Sequence, residues 1–165
     1  MDSHQPLRSA VAFLALAAHN AEEALYARDW ALANMELLTQ YTRAGLPGIW
    51  AGSGFRLSLL CLTLVLLALA VSAARAPQRG AAVYLLLGVL AVFAANALFP
   101  HIAGAVALRS YVPGLATAIA LVLPAAVWVY ISTLREGYAT QRGTFMAAAV
   151  GIALYAAVAG LAVRL

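Results

Sequence analysis

The 165-residue chain has no lysine, a single cysteine and only six acidic residues. Each scarcity removes a class of explanation. With Cys61 alone, neither an internal disulfide nor a cysteine-based metal motif can form within the chain. With charged residues at 10% and hydrophobic ones at 65%, the balance lies far from that of a water-soluble domain. The net charge of +4 comes from ten arginines placed singly at the ends of apolar runs. Interfacial anchors are placed in this way, whereas a nucleic-acid surface gathers its basic residues on one face. Neither a phosphate-binding glycine loop nor a Ser-His-Asp order is present.

What the chain has is apolar length. Five runs, at 7–26, 55–74, 81–108, 112–134 and 144–163, come close to or exceed the roughly 20 residues that span a bilayer's hydrocarbon. The expected fold is therefore all-α: one membrane bundle of five transmembrane helices, occupying 1–165 as a single domain. The first run has Arg8 ahead of apolar residues, as a signal peptide would. It continues through His19 to Tyr26 without a small-residue cleavage site, so it is read as a retained helix.

An interfacial amphipathic helix is predicted between the first and second spans, over 29–45. Asp29, Glu36 and Arg43 recur every seven residues there, with Trp30, Leu37, Leu38 and Tyr41 gathered opposite. Pro47-Gly48 and Gly52-Ser53-Gly54 then break the chain. Pro100 interrupts the long third run; lacking an N–H and clashing with the Asn96 carbonyl, it should kink that helix. In the fifth run, Ala147-x-x-x-Gly151 and Ala156-x-x-x-Gly160 have the spacing that lets helices approach closely, within the chain or across a homodimer. An odd number of spans without an internal repeat argues against a transporter built from two equal halves.

Orientation is nearly balanced. Arg8, Arg75, Arg79, Arg135 and Arg142 share the side of the N-terminus, and Arg28, Arg43, Arg56, Arg109 and Arg164 lie on the other. The first group sits in the shortest connections, where the positive-inside bias counts most, which favours a cytoplasmic N-terminus.

The ionisable residues of the first run carry the functional signal. On a helix, Glu22 and Glu23 lie one turn beyond His19 on the same face. A charge within hydrocarbon costs roughly 3 kcal/mol or more, so such residues face a polar interior and find partners. Histidine with paired carboxylates suits a divalent metal such as Zn or Fe, and equally an acid–base pair. Helix direction places Asn96 and His101 of the third run, and Thr117 of the fourth, at a similar depth. Asn96 and His101 are about 140° apart on a regular helix, and the Pro100 kink is what could unite them. Arg109 and Tyr111 stand at the mouth, where Arg109 could balance the carboxylates or meet a lipid phosphate.

Three segments, His19-Asn-Ala-Glu22-Glu23, Asn96-Ala-Leu-Phe-Pro-His101 and Tyr111-Val-Pro113-Gly114-Leu-Ala-Thr117, resemble in order and spacing the HxxEE-domain family of small bacterial membrane proteins. The resemblance covers the first to the fourth run. It implies a shared polar site at His19, Glu22, Glu23, Asn96, His101, Pro113, Gly114 and Thr117, and a multi-pass protein of the bacterial inner membrane. It implies no substrate.

The leading expectation is a metal-dependent membrane enzyme that hydrolyses or oxidises a lipid-like or other hydrophobic molecule. His19, Glu22, Glu23 and His101 are the candidate ligands of Zn or Fe, Glu22 and Glu23 the candidate catalytic groups, and Asn96, Arg109, Tyr111 and Thr117 the candidate contacts to ligands or substrate. A second reading is a metal-independent isomerase or cyclase of an isoprenoid or sterol-like substrate, with Glu22 or Glu23 as general acid. A third is a non-catalytic binding or transport protein for a cation or lipid. Membrane lipid is the expected partner, and nucleic acid is not.

Overall fold

The computed structural model describes residues 4–41, 50 and 52–162. Within these all regular structure is helical, in six helices: α1 (Gln5–Ala33), α2 (Met35–Tyr41), α3 (Ser53–Arg75), α4 (Ala81–Leu108), α5 (Leu115–Arg135) and α6 (Gln141–Ala162). Short connections make α3, α4, α5 and α6 alternate in direction, so α4 and α6 run parallel.

Helix α1 carries the polar face of the bundle. Pro6 in its first turn lacks an N–H that would have no partner there in any case. At its other end, the Asn34 side chain donates to the Trp30 carbonyl at 2.8 Å and closes the last turn. Its buried residues, Gln5, Arg8, Ser9, Ala12, Leu16, His19, Asn20 and Glu22 among them, recur at helical spacing. Leu7, Leu14, Leu25, Tyr26 and Leu32 are exposed on the other side. The helix is thus polar inside and apolar outside, the reverse of a helix at the surface of a soluble protein. It packs along α3 and crosses α5.

That reversal corrects one expectation. Among the described residues, four helices are long and apolar enough to cross a membrane, at Ser53–Arg75, Ala81–Leu108, Leu115–Arg135 and Gln141–Gly160, rather than five. α1 has the length, 29 residues. Its polar stripe, turned into the bundle, removes it from that set. The segment expected as one interfacial helix over 29–45 is divided: 29–33 continue α1, Met35–Tyr41 form α2, and Arg43 and Pro47-Gly48 lie outside the described residues.

α4 is interrupted where Pro100 predicts it. Phe99 leaves helical geometry at φ −141° and ψ 120°, the extended region to which the ring of a following proline pushes its neighbour. The Phe99–Pro100 peptide is cis. The helix resumes, and Arg109 ends it in the left-handed region at φ 49°. α5 begins after Gly114, at φ 91°, and widens into π-type turns over Ala118–Val122, just ahead of Pro124. Its far end is tied back to α1: Arg8, wholly buried, meets Glu136 at 2.8 Å, the Ser132 carbonyl at 3.4 Å and the face of Tyr138. Gln5 donates to the Ala73 carbonyl of α3 at 3.2 Å.

α6 packs on α4 through small residues. A Cβ at Gly151 would fall 2.5 Å from the Gly88 carbonyl oxygen, and one at Gly88 would fall 3.1 Å from that of Ala147. Here backbone meets backbone, so Ala147-x-x-x-Gly151 serves contact within the chain.

Candidate metal centre

The polar side chains of α1, α4 and α5 meet at one end of the bundle. His19 and His101 are both almost fully buried, with ring centroids 4.8 Å apart and planes nearly perpendicular. Phe93 packs edge-on against His19 and walls the pair from the apolar core. Glu23 Oε1 lies 3.4 Å from His101 Nε2. One ligand atom from each of His19, Glu23 and His101 lies within 4.8 Å of the others. Two imidazoles and one carboxylate are a set used by hydrolytic zinc and by non-haem iron.

The kink unites what a straight helix would separate. Asn96 and His101 come together, with Asn96 Nδ2 at 2.9 Å from His101 Nε2 and 3.3 Å from His19 Nε2. On the outer side, His19 Nδ1 lies 3.0 Å from Thr117 Oγ1. The buried His101 Nδ1 has no hydrogen-bond partner, whereas the contact at His19 Nδ1 leaves the Nε2 of that ring turned to the site. Metal-binding histidines are commonly held in this way, by a partner on the nitrogen that does not bind the metal.

Glu22 has other partners. Its carboxylate accepts the Gly114 and Thr117 amides at 2.9 and 2.8 Å, the Ala116 amide at 3.4 Å, and the Tyr111 hydroxyl. These amides belong to the first turn of α5, where backbone N–H groups lack helical partners and an anion is favoured. Glu22 and Glu23, adjacent in sequence, therefore diverge: one grips α5, the other faces the imidazoles. Burial, and then the bond to Glu22, raise the Tyr111 hydroxyl above its usual range. Arg109 is exposed, and none of the described hydrogen bonds or ion pairs joins it to the cluster.

Gly114 is the floor of the site. A Cβ there would lie 2.5 Å from His101 Cε1 and 2.9 Å from His19 Cε1. Both its left-handed conformation and its lack of a side chain are used.

Residues 10–129 match a family described as proteins of unknown function with an HXXEE motif. The chain belongs to that family. The histidine and two glutamates of the HXXEE name are His19, Glu22 and Glu23 here, and the matched segment extends from α1 into α5. The chain is also similar to the uncharacterized protein YrkK of Bacillus subtilis (strain 168), 26% identical over 110 residues. That covers 67% of this chain and 64% of YrkK, so the chain spans somewhat under two thirds of that relative. No solved structure matches.

Three features of this HXXEE protein escape sequence reading. Tyr155 of α6 reaches the site, with its hydroxyl on Asn96 Oδ1 at 3.1 Å and on the Phe99 carbonyl. In an alanine-rich helix it looks like packing, and only its place one turn after Gly151 hints otherwise. Asn20, buried beside the motif histidine, donates to Thr63 Oγ1 at 2.9 Å and ties α1 to α3. Arg8 reads as an interfacial anchor and is instead enclosed.

Proposed function

We propose that His19, Glu23 and His101 hold a divalent metal ion, zinc or iron, and that the protein is a membrane enzyme acting on a lipid-like or other hydrophobic molecule by hydrolysis or oxidation. One observation carries the reading: ligand atoms of two buried histidines and of the half-buried Glu23 converge within 4.8 Å. Both imidazole Nε2 atoms lie against the Asn96 amide, and Glu23 Oε1 lies beside that of His101. Electron-rich atoms gathered in a site of low dielectric call for positive charge between them. An ion there would take over the lone pairs that the Asn96 amide hydrogens now meet. It would supply a Lewis acid for water or substrate oxygen, or a redox centre. Glu22 serves this reading as the anchor of α5, and Thr117 as the support of His19.

The test is elemental analysis of purified protein beside its His19→Ala variant. Stoichiometric metal in the first and its loss in the second are expected; a wild-type protein that is active without metal overturns the reading.

The contact of Glu23 with His101, itself bonded to Asn96, favours one other function: metal-free acid–base isomerisation or cyclisation of an isoprenoid-like substrate, with Glu23 as the acid. Activity that survives exhaustive chelation selects it. For either function the setting is the bacterial inner membrane, with the N-terminus cytoplasmic, a placement that cysteine labelling from each side would test.

A further inference from the structure

The depth of the centre in the membrane can be counted along three helices. α5 has 21 residues from Leu115 to Arg135, about 31 Å at the helical rise, which matches the thickness of a bilayer's hydrocarbon. Its two ends therefore lie at the two faces. Thr117, which meets His19, is in its first turn, whereas Glu136 and the buried Arg8 stand at its far end. On α1, the exposed charges Arg28 and Asp29 follow Glu22 by roughly 9 Å along the axis. On α4, the exposed Arg109 ends the helix roughly 12 Å beyond His101. Tyr26 and Tyr111, both exposed, stand at the same end, where amphipathic aromatic rings mark a membrane surface. The three helices agree: the centre lies in the outermost turns of the hydrocarbon, about 10 Å from water on one side and some 25 Å from the other face.

The side open to lipid is the one Glu23 occupies. His101 keeps 2% of its side-chain surface and Glu23 keeps 18%. Leu98 and Phe99, just ahead of His101 in α4, are exposed. A molecule arriving from the bilayer thus meets an apolar rim and then a carboxylate. Above it, Arg109 is placed for a headgroup phosphate. We propose that the site takes a lipid of the leaflet marked by Tyr26 and Tyr111. The lipid is held with the linkage between head and chains, an ester or amide, beside His19, Glu23 and His101, and its chains run toward the bilayer centre. The proposal deepens the metal reading and rests on it for the chemistry; the depth and the lipid contact need no ion. It removes molecules whose reacting group lies in the bilayer interior, such as the inner double bonds of a long isoprenoid hydrocarbon.

The test uses chelator-treated full-length protein in phosphatidylcholine vesicles. For depth, a nitroxide is attached to Ala116→Cys or Val127→Cys, each combined with Cys61→Ser. Both positions are exposed, one beside the site and the other near the middle of α5. A water-soluble nickel chelate should relax the Ala116 label several times more strongly than the Val127 label, and equal relaxation overturns the proposal. For the contact, the vesicles contain phosphatidylcholine with a photoactivated diazirine either near the chain carboxyl or at the chain end, and peptide mass spectrometry locates the adducts. Adducts on Glu23 should come several times more often from the carboxyl-proximal probe. Equal labelling from both probes, an excess from the chain-end probe, or none from either overturns the proposal. Stoichiometric metal in untreated protein whose Glu23 takes neither probe leaves the metal reading standing and this one refuted. The expected adducts in a protein that takes up no metal do the reverse.

Discussion

Glu22 holds the start of α5: its carboxylate accepts the Thr117 amide at 2.8 Å. Gly114, Ala116 and Tyr111 donate to the same group. One acid side chain thereby fixes the turn that carries Thr117 and places Gly114 under both imidazoles. Glu22→Ala should lower stability by about 3 kcal/mol, the scale for hydrogen bonds to a buried charge, since several amides lose their acceptor together. Glu22→Gln keeps one acceptor oxygen and should lose roughly half as much. Thermal unfolding in detergent checks the order; equal stability of wild type and Glu22→Ala would remove the capping role.

Glu23 should behave differently from its neighbour. Glu23→Gln preserves size and removes the charge beside His101. It should weaken zinc binding by at least about 100-fold, the most that loss of a group merely orienting a ligand costs, while altering the melting temperature less than Glu22→Ala does. Calorimetric titration with zinc reads the first effect and unfolding the second. A reversed pattern would exchange the roles of the two glutamates.

Gly114→Ala should damage both stability and the centre. A left-handed backbone costs a residue with Cβ about 1–2 kcal/mol, and the added atom would stand 2.5 Å from His101 Cε1. Metal uptake should be lost with the stability. Gly160→Ala, where a Cβ meets nothing within 4 Å, is the control and should leave both unchanged. Normal zinc affinity in Gly114→Ala would show that the imidazoles do not rest on this residue.

At the opposite end, the bond from Arg8, and after it the charge of Arg8, hold the Glu136 carboxyl below its ordinary value of 4.5. A carboxyl whose value is lowered on folding stabilises the fold fully above its unfolded value, and the contribution is lost as pH falls through the lower folded one. Acid unfolding of the wild type should therefore have a component below pH 4.5 that is missing in Glu136→Gln. Identical acid profiles for the two proteins would show that the pair contributes nothing to stability.

Much of this was legible in the sequence because it follows from hydrophobic length and helix direction. The runs at 55–74, 81–108, 112–134 and 144–163 correspond to the four apolar helices. The depth argument placed His19, Asn96, His101 and Thr117 at one end of the bundle, where the structure brings them together. Pro100 marked the break that joins Asn96 to His101. What stayed hidden depends on partners without a sequence signature. The hold of Glu22 on α5 was invisible because its main partners are backbone amides, which every residue has. Arg8 looked like an anchor because arginine at the end of an apolar run usually is one, and nothing near it in sequence announces Glu136. Tyr155 is separated from Asn96 by 59 positions, so only the approach of α6 to α4 reveals the pair.

The polar stripe of α1 bears on how the chain enters a bilayer. Its polar side chains bond to Thr63, Ala73, Asn96, Gly114, Thr117, Ser132 and Glu136, all synthesised after it. When α1 leaves the ribosome, none of these partners exists. The polar face of this helix therefore stays incompletely partnered until α5 is made: a nascent chain halted before residue 114 already holds Asn96 and His101, which partner His19 and Glu23, and lacks the amides that bind Glu22.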